Sequence, residues 1–349
     1  MRSRKKNPPE LLSGPVAVQS ERTMRAVVVR SFAPLRMALE EASVPDPGAT
    51  EIRIRVRACG VSFVDALTAR GEYQVTPDLP YVPGSECAGI IDAIGPDVTG
   101  FRVGDAVCAL AWGGPFAEYL CVDQDAVALL PPGVAWAEAA VLRVAYTTAW
   151  HALKDRGALA AGERLLVLGA AGSVGQAAIE LGKILGATVI AAVRGEAKRA
   201  AALAAGADTV IDISGCGLRE AWEQAGLSPV DVVLDPVGGD VSDAAFRLLG
   251  WGGRHLVVGF AGGAIPAIKA NIALLKGASL VGVNVGRFNK IAPVQAAANL
   301  AKIMSLYAAG EIRPRVGACF TMEAYQEALD LASGGKAIGR IALMMDAKD

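Results

Sequence analysis

A chain of 349 residues exceeds what one hydrophobic core ordinarily organises, so two domains are expected. Apolar residues make up 53%, glycines number 40 and the formal net charge is −1, which is a globular α/β composition. That balance gives no field for nucleic acid or a membrane surface, and no apolar run is long enough to span a bilayer.

Residues 1–23 are basic, contain prolines and show no periodicity, and they lack the apolar core of a secretory signal. They read as a disordered extension, with an amphipathic transit peptide as the alternative and Met24 as a second start. Residues 25–29 and 52–56 are strands. The second alternates Ile52, Arg53, Ile54, Arg55 and Val56, which predicts one exposed face. Residues 59–67 turn into a short helix, and residues 90–94, 101–107 and 116–122 add short strands between frequent turn residues. A β-rich, barrel-like first domain follows from that texture. Six cysteines, at 59, 87, 108, 121, 216 and 319, have neither metal nor disulfide spacing and suit a reduced, cytoplasmic enzyme.

From about Thr147 helix and strand alternate. Strands are expected over 165–168, 188–193, 209–211, 230–234, 255–259 and 280–283, with helices such as 197–205 and 243–249 between them. Six strands with crossovers make a doubly wound Rossmann sheet. The first strand runs straight into Gly169-Ala170-Ala171-Gly172-Ser173-Val174-Gly175 and then an apolar-periodic helix. This is the strand–turn–helix setting that a dinucleotide fingerprint needs. Gly169 suits the turn, Gly172 lets backbone approach a pyrophosphate, Gly175 lets the helix pack on the sheet, and the helix N-terminus attracts phosphate. The spacing is G-x-x-G-x-x-G, with Ala171 in the middle glycine's place. The second strand ends at Arg194 where an NAD site carries an acid, and Lys198 follows one helical turn later; both suit a 2′-phosphate and predict NADP(H). Their alternative is a solvated basic helix start, beside which Glu196 is a counter-sign. A long helix over 293–309 leads to a last strand over 338–344.

Taken together, Pro83-Gly84-Ser85-Glu86, Val103-Gly104-Asp105, Ala145-Tyr146-Thr147-Thr148-Ala149, the glycine turn, Asp235-Pro236-Val237-Gly238-Gly239 and Ile338-Gly339-Arg340 occur in an order that resembles the medium-chain dehydrogenase/reductase superfamily, in its zinc-free quinone oxidoreductase branch. The resemblance runs from about Met24 to Met345. It implies a GroES-like catalytic domain over 24–147, a Rossmann NADP-binding domain over 148–286, a return to the catalytic domain over 287–349, and a homodimer. The zinc-dependent branch carries a cysteine and a histidine where this chain has Ser62 and Ser85, and neither hydroxyl is a zinc ligand. The expected cofactor is therefore NADPH without zinc.

The resemblance also implies a set of residues near the chemistry. Ser62 stands in the place of the family's asparagine. Tyr73 orients substrate or relays a proton, or else is a partly buried loop aromatic. Thr148, and Gly259 with Phe260, border the nicotinamide, and Asn284 bonds the cofactor or caps a turn. Asp65 and Glu86 remain as structural hydrogen-bonding groups. Without a Lewis acid, alcohol oxidation loses the group that stabilises an alkoxide. Hydride addition to a quinone or α,β-unsaturated carbonyl needs less help, and reduction of such a small molecule is the expected function. The alternatives are a 2-enoyl thioester reductase and a non-catalytic NADPH-binding structural or regulatory protein.

Overall fold

The computed structural model describes residues 22–345, so the extension expected over 1–23 lies almost wholly outside the described residues. Strands β1 (Thr23–Phe32) and β2 (Leu35–Ser43) pair antiparallel as a separate ribbon. Next come β3 (Glu51–Val61), β4 (Glu86–Ile94), β5 (Ala106–Leu110), β6 (Tyr119–Asp123) and β7 (Val127–Leu129). The parallel strands are β8 (Arg164–Val167), β9 (Thr188–Val193), β10 (Thr209–Asp212), β11 (Val230–Asp235), β12 (Leu249–Val257) and β13 (Ser279–Gly282). The chain closes on β14 (Val316–Thr321) and β15 (Arg340–Met344), which return to the first sheet beside β3 in the order β14-β15-β3-β4-β5-β7, with β6 also on β3. Among the described residues no helix is long and apolar enough to cross a membrane.

The second sheet has the order β10-β9-β8-β11-β12-β13, with every pair parallel. The strand order reverses direction between β8 and β11, the switch point of a doubly wound sheet. Leu165 and Val167 face one core with Ala177, Ile179 and Leu181, whereas Leu166 and Leu168 face the other with Trp222 and Phe246. Burial on both faces is why this strand is apolar without alternation. The helix Pro293–Ala308 also packs here: Ile303, Leu306 and Tyr307 join the core of Leu165 and Val167.

Several elements depart from their sequence-based expectation. The ribbon strand β2 carried no strand signal, because Leu, Met, Ala and Glu are helix formers and only the long-range pairing with β1 makes them extended. The turn expected at Cys59 is still strand, since β3 runs on to Val61 to pair with β15. Residues 101–105 form a turn around Gly104 at φ 97°, with the Asp105 carboxylate accepting from the Arg102 amide, so only Ala106 onward is strand. Phe116 and Ala117 leave the expected strand to bridge to β1. The expected strand over 255–259 begins earlier, at Leu249, and ends at Val257. Arg53, expected on an exposed face, is buried and held by Asp92 at 2.8 Å and Asp46 at 3.0 Å.

Candidate functional site

Parallel strands deliver their C-terminal ends to one edge. The glycine turn after β8, Arg194 after β9, the Asp235–Gly239 loop after β11, Gly259 and Phe260 after β12 and Asn284 after β13 therefore share that edge. Backbone bonds tie these loops together: the Val258 amide donates to the Asp235 carbonyl, Ala261 to Pro236 and Gly262 to Val237. The Asp235 carboxylate, buried, accepts from the amides of Val237 and Gly238, from the Ser242 hydroxyl and from His255 Nε2 at 2.9 Å. Burial works to raise its pKa, yet His255, Ser242 and the Gly238 N–H together hold it below the ordinary aspartate value. A fixed carboxylate at that point locks the loop that flanks the turn.

The three glycines of the turn have different reasons to be glycine. Gly169 adopts φ 57°, a left-handed conformation costly for side chains, and a Cβ there would lie 2.9 Å from Val237. At Gly175 a Cβ would stand 2.4 Å from the Gly169 carbonyl oxygen and 2.7 Å from Ala170 Cα. Gly172 is different. It has ordinary extended backbone, φ −81° and ψ 175°, and a Cβ would meet only the Gly169 oxygen, at 3.3 Å. The fold therefore demands glycine at 169 and 175 for its own packing, whereas at 172 it leaves space on the open side of the turn. Gly172 is the N-cap of the helix Ser173–Ile184, no side chain caps that end, and Ser173 and Val174 are half-buried beside it. Those first-turn amides are the donors an anion meets there.

A group the sequence did not single out stands next to this turn. Arg340 is buried in β15, with its guanidinium 4.7 Å from the centre of the Tyr146 ring and Nη2 donating to the Ser173 carbonyl at 3.2 Å. Its Nε and Nη1 are buried and have no hydrogen-bond partner among the described residues. The neighbouring Gly339 amide donates to the Ala171 carbonyl at 2.9 Å, so the returning strand clasps the turn. A cation fixed at the Ser173 carbonyl puts positive charge next to a bare helix N-terminus, which favours an anion there.

On the catalytic-domain side, Ser62 caps the helix Phe63–Arg70. Its hydroxyl donates to Asp65 at 2.6 Å and accepts from the Asp65 amide at 3.1 Å. The Ser85 hydroxyl donates to the other Asp65 oxygen. The spacing Ser62-x-x-Asp65 is a capping box that the sequence already carried. Burial holds Asp65 above its ordinary pKa, opposed by the bonds from Ser62 and Ser85. Glu86 is also buried and accepts from the Val144 amide at 2.9 Å; burial raises its pKa to about 7 against the pull of that amide and of Arg340. The donor set is thus two hydroxyls committed to one carboxylate, which does not fit zinc.

The remaining expected residues sit as follows. Arg194 is exposed at the end of β9. Lys198 is on the helix Glu196–Ala204, and its ammonium donates to the Gly335 carbonyl at 2.7 Å, so it bridges to the returning segment. Thr148 is buried and donates to the Val144 carbonyl within its own helix. Asn284 caps the helix Val285–Ile291 by accepting from the Arg287 amide, the second of its two expected roles. Phe260 packs over Gly238. Tyr73 is half-buried, its ring centre 5.7 Å from that of Trp112 at a 45° tilt. His151 is buried, bonded to Asp155 at 2.8 Å and stacked on Phe288, so it serves as a structural residue.

Comparison with known proteins agrees with this architecture. Residues 48–132 match the family model described as alcohol dehydrogenase GroES-like domain, and residues 173–302 match that of zinc-binding dehydrogenase. The chain is 35% identical over 311 residues to quinone oxidoreductase-like protein 2 of Mus musculus, covering 88% of this chain and 89% of that protein. It is 39% identical over 244 residues to polyketide synthase GfsB of Streptomyces halstedii, covering 70% of this chain but 4% of that much longer protein. Among solved structures, the quinone oxidoreductase from Thermus thermophilus, described with its NADPH complex, superposes with a TM-score of 0.78 at 26% identity, over 92% of this chain and all of that one.

Proposed function

The chain belongs to the medium-chain dehydrogenase/reductase superfamily, and from that footing we propose that it is a zinc-independent, NADPH-dependent oxidoreductase acting on quinones or α,β-unsaturated carbonyls. The observation that carries the reading is Gly172: its backbone needs no glycine, it faces open space, the bare helix end lies beside it, and buried Arg340 is bonded to the carbonyl of the next residue, Ser173. Bound there, NADPH would supply a hydride, and one proton from solvent completes the reduction of a quinone to a hydroquinone. The chain's own contribution is to hold the phosphates with Ser173, Val174 and Arg340, to border the ring with Thr148, Gly259 and Phe260, and to hold the acceptor near Ser62 and Tyr73. The fixed Asp235 loop keeps the far wall of the site in place. Because Asp65 occupies both serine hydroxyls, Ser62 orders the site and takes no proton itself.

We assign the 2′-phosphate to Arg194 and Lys198. A charge-assisted bond contributes roughly 1.5–3 kcal/mol. Arg194→Ala is expected to raise the Michaelis constant for NADPH about tenfold or more and to leave that for NADH nearly unchanged. Steady-state kinetics with both cofactors checks this, and an equal effect on the two removes the selective role. We also assign the chain to the cytoplasm, where its six scattered cysteines would stay reduced. The homodimer has a candidate interface at edge strand β13, where Leu280, Leu274, Leu275 and Trp251 are exposed. Light scattering at twice the chain mass is the expected result; a monomer at micromolar concentration excludes it.

A further inference from the structure

We propose that His151 is a positioning residue for the nicotinamide end of the cofactor: stacked on Phe288, it fixes the corner after β13 that carries Asn284 against the helix that carries Thr148; this rests on the NADPH reading above. Thr148 lies in the helix Arg143–Trp150, and His151 opens the turn that follows it. That turn, His151–Arg156, is π-helical, and the Gly157 amide behind it donates five residues back to the Ala152 carbonyl at 2.7 Å. Such turns are rare and recur at functional sites.

Three side chains of the turn reach three successive elements. The His151 ring stacks on Phe288, in the helix Val285–Ile291, with ring centres 3.9 Å apart and planes 19° apart. Asp155 Oδ2 bonds His151 Nδ1 at 2.8 Å and accepts at 2.7 Å from Asn299 Nδ2, in the helix Pro293–Ala308. Arg156 Nε donates at 3.0 Å to the carbonyl of Gly282, the last residue of β13. The corner between β13 and the next helix is thus held from one turn at both of its ends.

The helix Val285–Ile291 needs this hold. It has seven residues, too few to be stable alone, and none of them is buried in the single chain. The stack supplies the anchor that a core side chain would otherwise give. The Phe288 amide donates to the Asn284 carbonyl at 2.9 Å, so Asn284 stands one helical turn from the stack. Thr148, three residues before His151, stands one turn from it on the other helix. One pair of rings therefore sets the place of both. Asn284 caps its helix with the side-chain oxygen, and its side-chain nitrogen donates to no other described residue. Thr148 spends its hydroxyl proton on the Val144 carbonyl and keeps its oxygen as an acceptor. A donor and an acceptor held at a fixed separation match a carboxamide, whose oxygen accepts and whose nitrogen donates.

The test measures the affinity of the full chain for NADPH and for 2′-phospho-ADP-ribose, the same molecule without nicotinamide, by calorimetry. The proteins are the parent, His151→Ala, Phe288→Ala and Phe288→Tyr, with thermal melting alongside. The parent should bind NADPH more tightly than the fragment. His151→Ala and Phe288→Ala should each raise the Kd for NADPH about tenfold and leave that for the fragment at the parent value. Phe288→Tyr, which keeps a ring to stack, should match the parent on both ligands. Phe288 is half-buried, so its two variants decide the matter even where His151→Ala does not fold. Equal loss on both ligands marks a general structural role and overturns the proposal, as does an NADPH affinity unchanged in Phe288→Ala. A parent that binds neither ligand overturns the cofactor reading itself and the proposal with it, a result distinct from the other two.

Discussion

Gly172→Val is expected to abolish NADPH binding while the protein still folds, and Gly175→Val to cost stability as well. At 172 the new side chain enters the space on the open side of the turn, which phosphate needs, and the backbone there is ordinary extended chain. The Kd for NADPH should rise at least about 100-fold, which corresponds to about 2.7 kcal/mol. The melting temperature without cofactor should stay near that of the parent. At 175 the first carbon of any side chain meets the Gly169 oxygen at 2.4 Å and the Ala170 backbone at 2.7 Å. Neither atom belongs to a flexible side chain, so the helix must move off the sheet, at a cost of about 1–3 kcal/mol or more. That cost outweighs the roughly 1 kcal/mol a helix ordinarily gains when glycine is replaced. Fluorescence titration and thermal melting on the two variants separate these outcomes. If Gly172→Val binds NADPH like the parent, the turn is not the phosphate site.

Replacing Glu86 should flatten part of the pH dependence of stability. Burial raises its carboxyl from the ordinary 4.5 to about 7 in the folded protein. Below pH 4.5 the group is protonated folded or unfolded and costs nothing. Between 4.5 and 7 the unfolded chain loses the proton while the folded one keeps it, so stability falls as pH rises, and above 7 the loss is constant. Its size is roughly 3 kcal/mol, from 1.36 kcal/mol per pH unit. Glu86→Gln keeps an acceptor for the Val144 amide and carries no titrating proton. The variant should match the parent near pH 4.5 and be more stable by up to that amount at pH 8. Urea unfolding at both pH values decides it, and parallel curves for parent and variant would contradict the expectation. Asp235 and Glu163, held low, act in the opposite sense and Glu180, held high, in the same sense, but both kinds are common to the two proteins and drop out of their difference.

What the sequence displayed and what it hid divide along the range of the contacts. The Rossmann half was legible because strands such as Leu165–Val167, covered on both faces, must be apolar throughout, and because Gly175 answers to Gly169 and Ala170, neighbours within a few residues. In the first domain, β2 is extended only because β1 lies beside it, and residues 116–117 serve two partners at once. Arg340 was legible as a motif letter and not as a site residue. Its place beside Ser173 depends on β15 pairing with β3 and on Gly339 reaching Ala171, contacts between residues far apart in the chain. Ser62 shows the intermediate case. Its substitution for a zinc ligand was plain, and the Ser-x-x-Asp spacing held the reason its hydroxyl is occupied, but the second bond on Asp65, from Ser85, appears only when β4 is in place.

The most direct test of the central claim, that this site transfers hydride from NADPH without a metal, is metal analysis joined to activity. Purified protein is dialysed against a strong chelator, its zinc content is measured, and NADPH oxidation with a quinone is followed before and after. The serine pair closed onto Asp65 predicts zinc far below one per chain and unchanged turnover; stoichiometric zinc in the starting protein, with activity lost on chelation and restored by zinc, would contradict it.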